Sequence, residues 1–317
     1  MPENRLVSTL RSLGPLVGLL LVLVLFGSLE PEKFLAFQNI RTVLTQTVIV
    51  GLGAIGMTFV VVSGGIDLSV GSSIALSTIV VARVLRDGGS PWLAAVCGVL
   101  SGACVGILNG ALITRLKIAP FIVTLGTLQI VRGIAKYVAG EQKIDAPASW
   151  LADLMTKSPS PAWLIVSPGV WALVVLGVFF GAVLKKSVIG TYAFAIGSNE
   201  STAVLCGLPV SSIKIRLYAL SGLLTGLAGL MQFSRLTVGD PTAATGLELN
   251  IIAAVVIGGA SLSGGVGSIT SSLVGALVMA FLANGCNLVG VPNYAQEILV
   301  GGIIVIVVAM DRSRRMT

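Results

Sequence analysis

Residues 44–62 read LTQTVIVGLGAIGMTFVVV, nineteen positions without a charge. A helix needs about 20 mostly apolar residues to cross the hydrocarbon of a bilayer, so this run has the length of a span. Comparable runs cover 13–29, 70–85, 92–113, 119–139, 163–184, 213–233, 249–260, 269–288 and 294–310. With 44–62 they make ten, give or take one, and the third and eighth are shorter than a full crossing. A β-barrel would alternate apolar and polar residues in segments of about 10, whereas these runs are continuous. The expectation is an all-α polytopic membrane protein.

Composition agrees. The chain has 317 residues, 55% hydrophobic and 10% charged, with a mean hydropathy of +0.99, far from the balance of soluble domains. Arg5 and Arg11 precede the first apolar run as they would in a secretory signal, but no small-x-small cleavage site follows, so the run reads as a retained helix. The 39 glycines include Gly102, Gly106, Gly222, Gly226 and Gly229, spaced to let helix backbones approach closely. With no histidine in the chain, zinc and other imidazole-ligated metals are not expected, and Cys97, Cys104, Cys206 and Cys286 read as small core thiols. No cofactor and no catalytic residue is indicated. The net charge of +7 comes from basic residues set singly or in pairs at span ends, which does not suit nucleic acid and instead reports topology.

Basic residues gather at the cytoplasmic ends of membrane helices. Arg115 with Lys117, Lys185 with Lys186, and Arg312, Arg314 and Arg315 abut span ends that share one side. That side is taken as inside, with both termini. No stretch between spans is long enough for a separate folded unit, so 1–317 reads as one transmembrane domain with an inner segment at about 191–212. It holds no G-x-x-x-x-G-K-[ST] phosphate loop, so any nucleotide-derived work must come from another chain.

Three polar interruptions carry the remaining information. In the inner segment Asn199 can cap a short helix over 200–205, with Glu200 in its first turn and Gly207 and Pro209 ending it. The segment resembles the coupling motif of ABC importer permeases, a Glu-Ala-Ala followed by Gly. Glu200, Ala203 and Gly207 match, while Ser201 and Thr202 replace alanines. The resemblance implies that Asn199, Glu200, Ala203, Gly207 and Pro209 seat in a groove of a cytoplasmic ATPase, where bulk on the helix face would hold it away. The second interruption, Gly64-Gly65-Ile66-Asp67-Leu68-Ser69-Val70-Gly71, is similar to the ribose-type, monosaccharide branch of that family. Asp67 either caps the following helix or lines a substrate path, since a carboxylate near hydrocarbon needs one such explanation. The third, from Gly258 to Ser268, repeats the Gly-Gly, Leu-Ser and final Gly of the second. The pair could mark an internal repeat whose interrupted helices meet at the substrate path.

A sugar path needs neutral donors and acceptors. Gln46, Asn109, Thr124, Thr127, Gln129, Gln232, Asn250, Asn284 and Asn287 are candidates, with Asn109, Gln129 and Asn284 foremost because an idle amide deep in a span is expensive. The resemblance further implies a type II-like importer in a bacterial inner membrane, a periplasmic sugar-binding protein facing Arg41, Arg86, Lys143 and Arg235, and a second permease chain. Alternatives are a related permease for branched-chain amino acids, nucleosides or an autoinducer-like sugar. An ion-coupled secondary transporter would want titratable carboxylates inside the membrane, and Asp67 is the one carboxylate that reads as plausible.

Overall fold

In the computed structural model, which describes residues 5–156 and 164–316, a helix stands at each of the ten expected spans. They are α1 (Arg5–Leu29), α3 (Phe37–Val62), α4 (Val70–Arg86), α5 (Pro91–Leu116), α6 (Pro120–Ala139), α7 (Pro168–Lys186), α10 (Val210–Leu236), α11 (Leu247–Ile257), α12 (Ile269–Val289) and α13 (Asn293–Met316). The expected start of the sixth span at Trp163 lies outside the described residues. Three short helices join them: α2 (Pro31–Phe34), α8 (Val188–Ser198) and α9 (Glu200–Leu205). Among the described residues, α3, α5, α6, α7, α10 and α12 are long and apolar enough to cross a membrane. Prolines open α5, α6 and α7, where a missing N–H costs nothing.

Helix α3 is the axis. Every residue from 51 to 63 is buried, and α7, α8, α10, α11 and α12 pack around it. Around this axis α5 and α10 cross almost backbone to backbone. A side chain on Gly102 would strike the Gly222 carbonyl and Gly226, one on Gly106 the Tyr218 carbonyl, and one on Gly226 the Val99 carbonyl. Lipid tails are as apolar as leucine, so helices in a bilayer adhere by close packing, which glycine permits. The expectation for these glycines therefore holds.

The cysteine expectation does not hold for all four. Cys286 is buried, but Cys104 and Cys206 are exposed and Cys97 is intermediate. Gly102 and Gly106 face α10, and a residue two positions on is turned about 200° around a helix, which sends Cys104 outward.

The two ends of the bundle differ. Trp92, Trp150 and Trp171 lie at the end where α3, α5 and α7 begin; Trp92 and Trp150 stack with centroids 4.6 Å apart, and the Trp171 indole donates to the Leu164 carbonyl at 3.0 Å. Such residues favour the membrane-water boundary. At this tryptophan end strands β1 (Ile144–Asp145) and β2 (Val238–Gly239) pair antiparallel. A 3-10 turn (Trp150–Met155) folds down there too, with Leu151 fully buried. The opposite end carries α8 and α9, together with Arg115, Lys117, Lys185 and Lys186.

Replacing Gly106 by leucine should force α5 and α10 apart at a cost of about 1–3 kcal/mol or more, seen as a lower thermal midpoint in detergent. Gly126→Leu, at a position with open space around it, should leave the midpoint unchanged.

Candidate functional site

The expected inner helix is present as α9, and its ends are built from the expected residues. The Asn199 side chain accepts the Thr202 N–H at 2.9 Å. Gly207, at φ +78°, donates to the Val204 carbonyl while Leu208 donates to that of Ala203, a closure that spends two otherwise orphaned carbonyls. Glu200 pairs with Lys214 of α10 at 2.7 Å, so the short helix is tied to the start of a long one. Ala203 faces inward, 4% exposed, within the chain's own core. Its small size therefore sets how closely α9 lies on the bundle. The outward face is Thr202, Val204 and Leu205, the last 88% exposed. Helix α8 was not anticipated; the run from Val188 to Ser198 lacks charge but is only eleven residues long.

Helix α8 ends against both glycine-rich turns. Gly64 at φ +80° and Gly259 at φ +85° close α3 and α11 with the same pair of backbone bonds: Gly64 to Val61 and Gly65 to Val60, Gly259 to Val256 and Ala260 to Val255. The two turns share one end of the bundle and touch, for Gly265 donates to the Val62 carbonyl at 2.9 Å. Gly197 of α8 fits between them, where a side chain would strike Val62 and Gly265. In conformation Gly64 corresponds to Gly259, one position on from the sequence alignment with Gly258.

Asp67 lies in the loop between α3 and α4, 2% exposed. One carboxylate oxygen accepts the Ser69 amide at 2.9 Å and the Ser69 hydroxyl at 2.6 Å, an Asx turn two residues long within the loop; the N-cap of α4 is Ser69, and that helix start has no side-chain cap. Neighbouring helices fasten the loop further: Asn109 of α5 donates to the Ser69 hydroxyl at 2.8 Å and Thr124 of α6 to the Ile66 carbonyl at 3.1 Å. The other two foremost path amides are placed apart from it. Asn284 exchanges reciprocal hydrogen bonds with Asn39, at 2.9 and 3.0 Å, and Gln129 stands on the exposed face of α6. The three do not face a common cavity.

A cavity of about 720 Å³ does open at the tryptophan end, between α3, α10, α11, α12 and α13. Helix α11 explains it. Eleven residues make about 16 Å, half of a hydrocarbon core of about 30 Å. Its hairpin with α12, where Gly275 packs on Ala254 and Gly258 on Ser272, brings its first turn level with the middle of α12. Beyond that turn α12 continues alone, and the space above it is the cavity. Gln46, Gln232 and Asn250, from the wider set of candidate amides, line it.

Two ionisable residues escaped the sequence reading. Arg132, within the apolar run of α6, donates to the carbonyls of Pro241 at 2.9 Å and Ala243 at 2.8 Å, holding the turn before α11. Glu248, in the first turn of α11, presses its carboxylate on Gly71 at the start of α4, with one oxygen sealed and without a hydrogen-bond partner among the described residues. Asp67 is thus not alone as a carboxylate inside the bundle. A charge in mid-span was the available signal in the case of Arg132; Glu248 sat at the edge of a short run and gave none.

The four candidate docking residues share the tryptophan end but differ in freedom. Arg86 is exposed. Arg41 lies 4.6 Å over the Phe37 ring with its Nε sealed, and Arg235 borders the cavity. Lys143 is bound to Asp240 at 3.2 Å. Partial burial works to raise the Asp240 carboxyl, yet the Thr242 hydroxyl and amide and the Lys143 ammonium outweigh it and hold it below the ordinary aspartate range. This tether is therefore fully present above about pH 3.9 and is lost only as acid protonates the folded carboxylate.

A helical bundle with a half-length helix under a polar cavity, and a capped polar helix tied to its other end, defines a membrane permease. The chain belongs to the family described as branched-chain amino acid transport system / permease component, which it matches over residues 39–308. It is 41% identical to the ribose import permease of Bacillus subtilis over 96% of this chain and 94% of the relative. It is 40% identical to the L-arabinose ABC transporter permease of Azospirillum brasilense over 94% and 88%, and 37% identical to the fructose import permease of Rhizobium meliloti over 94% and 84%. No solved structure matches it.

Asp67→Asn keeps a side-chain oxygen for the Ser69 donors and should retain wild-type thermal stability, whereas Asp67→Ala, which leaves the buried Ser69 amide without its acceptor, should lose about 1–3 kcal/mol. Asn199→Ala should weaken α9 by about 1 kcal/mol, visible as faster amide exchange over 200–206 with the long helices unaffected.

Proposed function

We propose that the chain is the membrane-spanning permease subunit of an ATP-driven importer of a monosaccharide, and that α9 receives the work. The observation that carries this reading is the near full-length similarity to sugar permeases, within which α9 stands as a separate polar lever. A cytoplasmic ATPase would seat on Thr202, Val204 and Leu205. The Glu200–Lys214 pair then passes displacement to α10, and Ala203 and the Gly197 junction pass it to the core. Both termini face the cytoplasm of a bacterial inner membrane in this reading, a periplasmic sugar-binding protein docks at the tryptophan end, and a second permease chain completes the pathway. The chain acts as one transmembrane unit and performs no hydrolysis of its own.

The test is reconstitution in proteoliposomes with the cognate ATPase and binding protein, following labelled D-ribose, L-arabinose, D-allose and D-fructose. One of these should accumulate only with ATP. Uptake that ignores ATP and collapses with an ion gradient would overturn the proposal. Glu200→Ala and Gly207→Trp should insert normally yet hydrolyse ATP without import. The exposed Cys206 should react with an impermeant thiol reagent from the cytoplasmic side and resist it from the periplasmic side.

A further inference from the structure

Three of the polar side chains around the cavity above α11 come from separate helices: Gln46 from α3, Gln232 from α10 and Asn250 from α11. None of the three side-chain amides makes a hydrogen bond to another described residue, although Gln232 is only 8% exposed. Several other amides of the bundle donate to protein partners, although the Asn109 Oδ1 is sealed without one among the described residues. Asn284 is paired with Asn39, Asn109 holds Ser69, and Gln296 donates to Asn287 and to the Val291 carbonyl. Gln46 and Asn250 are half-buried, and no amide atom of the three is sealed from the cavity, so their hydrogen-bonding capacity is left for water or for a guest that replaces it.

The chemistry of that guest can be read from the lining. Each amide offers two donor hydrogens and an acceptor oxygen, which complements a hydroxyl that both gives and receives. The charged groups on the lining, Arg235 and Glu297, are opposite in sign, so the space has no net charge to select a carboxylate or a phosphate. Ile49, Val50, Met279 and Ala280 supply an apolar remainder, which suits the C–H faces of a sugar ring. At about 720 Å³ the space falls within the range of about 300–1,000 Å³ usual for small-ligand sites.

We infer that Gln46, Gln232 and Asn250 form a transit site in which a neutral monosaccharide exchanges its hydration for amide hydrogen bonds after entering from the tryptophan end. This rests on the permease reading above and adds the residues that hold the sugar. Because Asn250 belongs to the short helix and Gln46 and Gln232 to long ones, a shift of α11 opens the triangle of amides and releases the ligand.

The experiment compares Gln46→Leu, Gln232→Leu and Asn250→Leu with the wild type in the full reconstituted complex. It reads both the sugar imported per ATP hydrolysed and the stimulation of ATPase by loaded binding protein. Each variant should carry roughly three- to tenfold less sugar per ATP, the loss expected of one polar contact, while the stimulation stays at the wild-type level. Gln232→Glu, which keeps shape but adds charge, should also fall. If Gln232→Leu does not assemble, the variants at the half-buried Gln46 and Asn250 decide the matter. Wild-type sugar per ATP in the assembled variants overturns the transit site and leaves the permease reading standing. A wild-type complex that imports none of the four sugars with ATP overturns that reading, and the transit site with it.

Discussion

A peptide carbonyl with no partner costs several kcal/mol in hydrocarbon, and the end of α3 shows how this chain meets that constraint. From residue 51 to residue 63 the helix is enclosed by protein, and its closing turn reaches the surface only at Gly64. Gly64 and Gly65 turn the backbone back on the last carbonyls, and Gly265 reaches over from another turn to take that of Val62. Only glycine fits where Gly197 closes against the same carbonyl. The ends of α8 and α11 close on their own backbone, and Gly265 and Gly197 join them to the end of α3. That junction fixes where α9 hangs and how the α11–α12 hairpin stands, so the placement of both the lever and the cavity follows from it.

Much of the fold was legible in the residues, for a physical reason. Apolar length is dictated by the bilayer, and each of the ten runs became a helix, including the two short ones. The α9 boundaries were equally plain because Asn199, Gly207 and Pro209 act locally, through bonds spanning three to five residues. The site was harder to read. Asn109, Gln129 and Asn284 look as expensive in sequence as Gln46, Gln232 and Asn250 do, and only the neighbour across the helix decides which amide is spent. Asn284 is spent on Asn39, distant by 245 positions, and no local pattern reveals such a partner. The inward turn of Ala203 escaped for the same reason, since a six-residue helix has too few positions to declare a face.

The two short helices share a design. Helix α4 begins with Gly71 beneath the carboxylate of Glu248, which itself opens α11. Two helix starts, each with a partial positive charge, therefore meet around one carboxyl group inside the bundle, and Arg132 grips the turn beside them. Ends of this kind need strong polar groups to exist within a membrane at all. Once built, they leave an element free of the outer surface, joined to its surroundings mainly through its own hairpin and the glycine turns below.

The half-length of α11 also has an electrical consequence. The cavity above it is open to one side, so along this line the packed protein below it is about 16 Å of helix instead of the full thickness of a bilayer. The membrane voltage is the same along every line across the bilayer, at about 2.3 kcal/mol per elementary charge for each 100 mV, so a thinner insulating layer means a steeper gradient. Helix α11, whose own dipole lies along that line, is thus the element on which a voltage across the cavity floor would act.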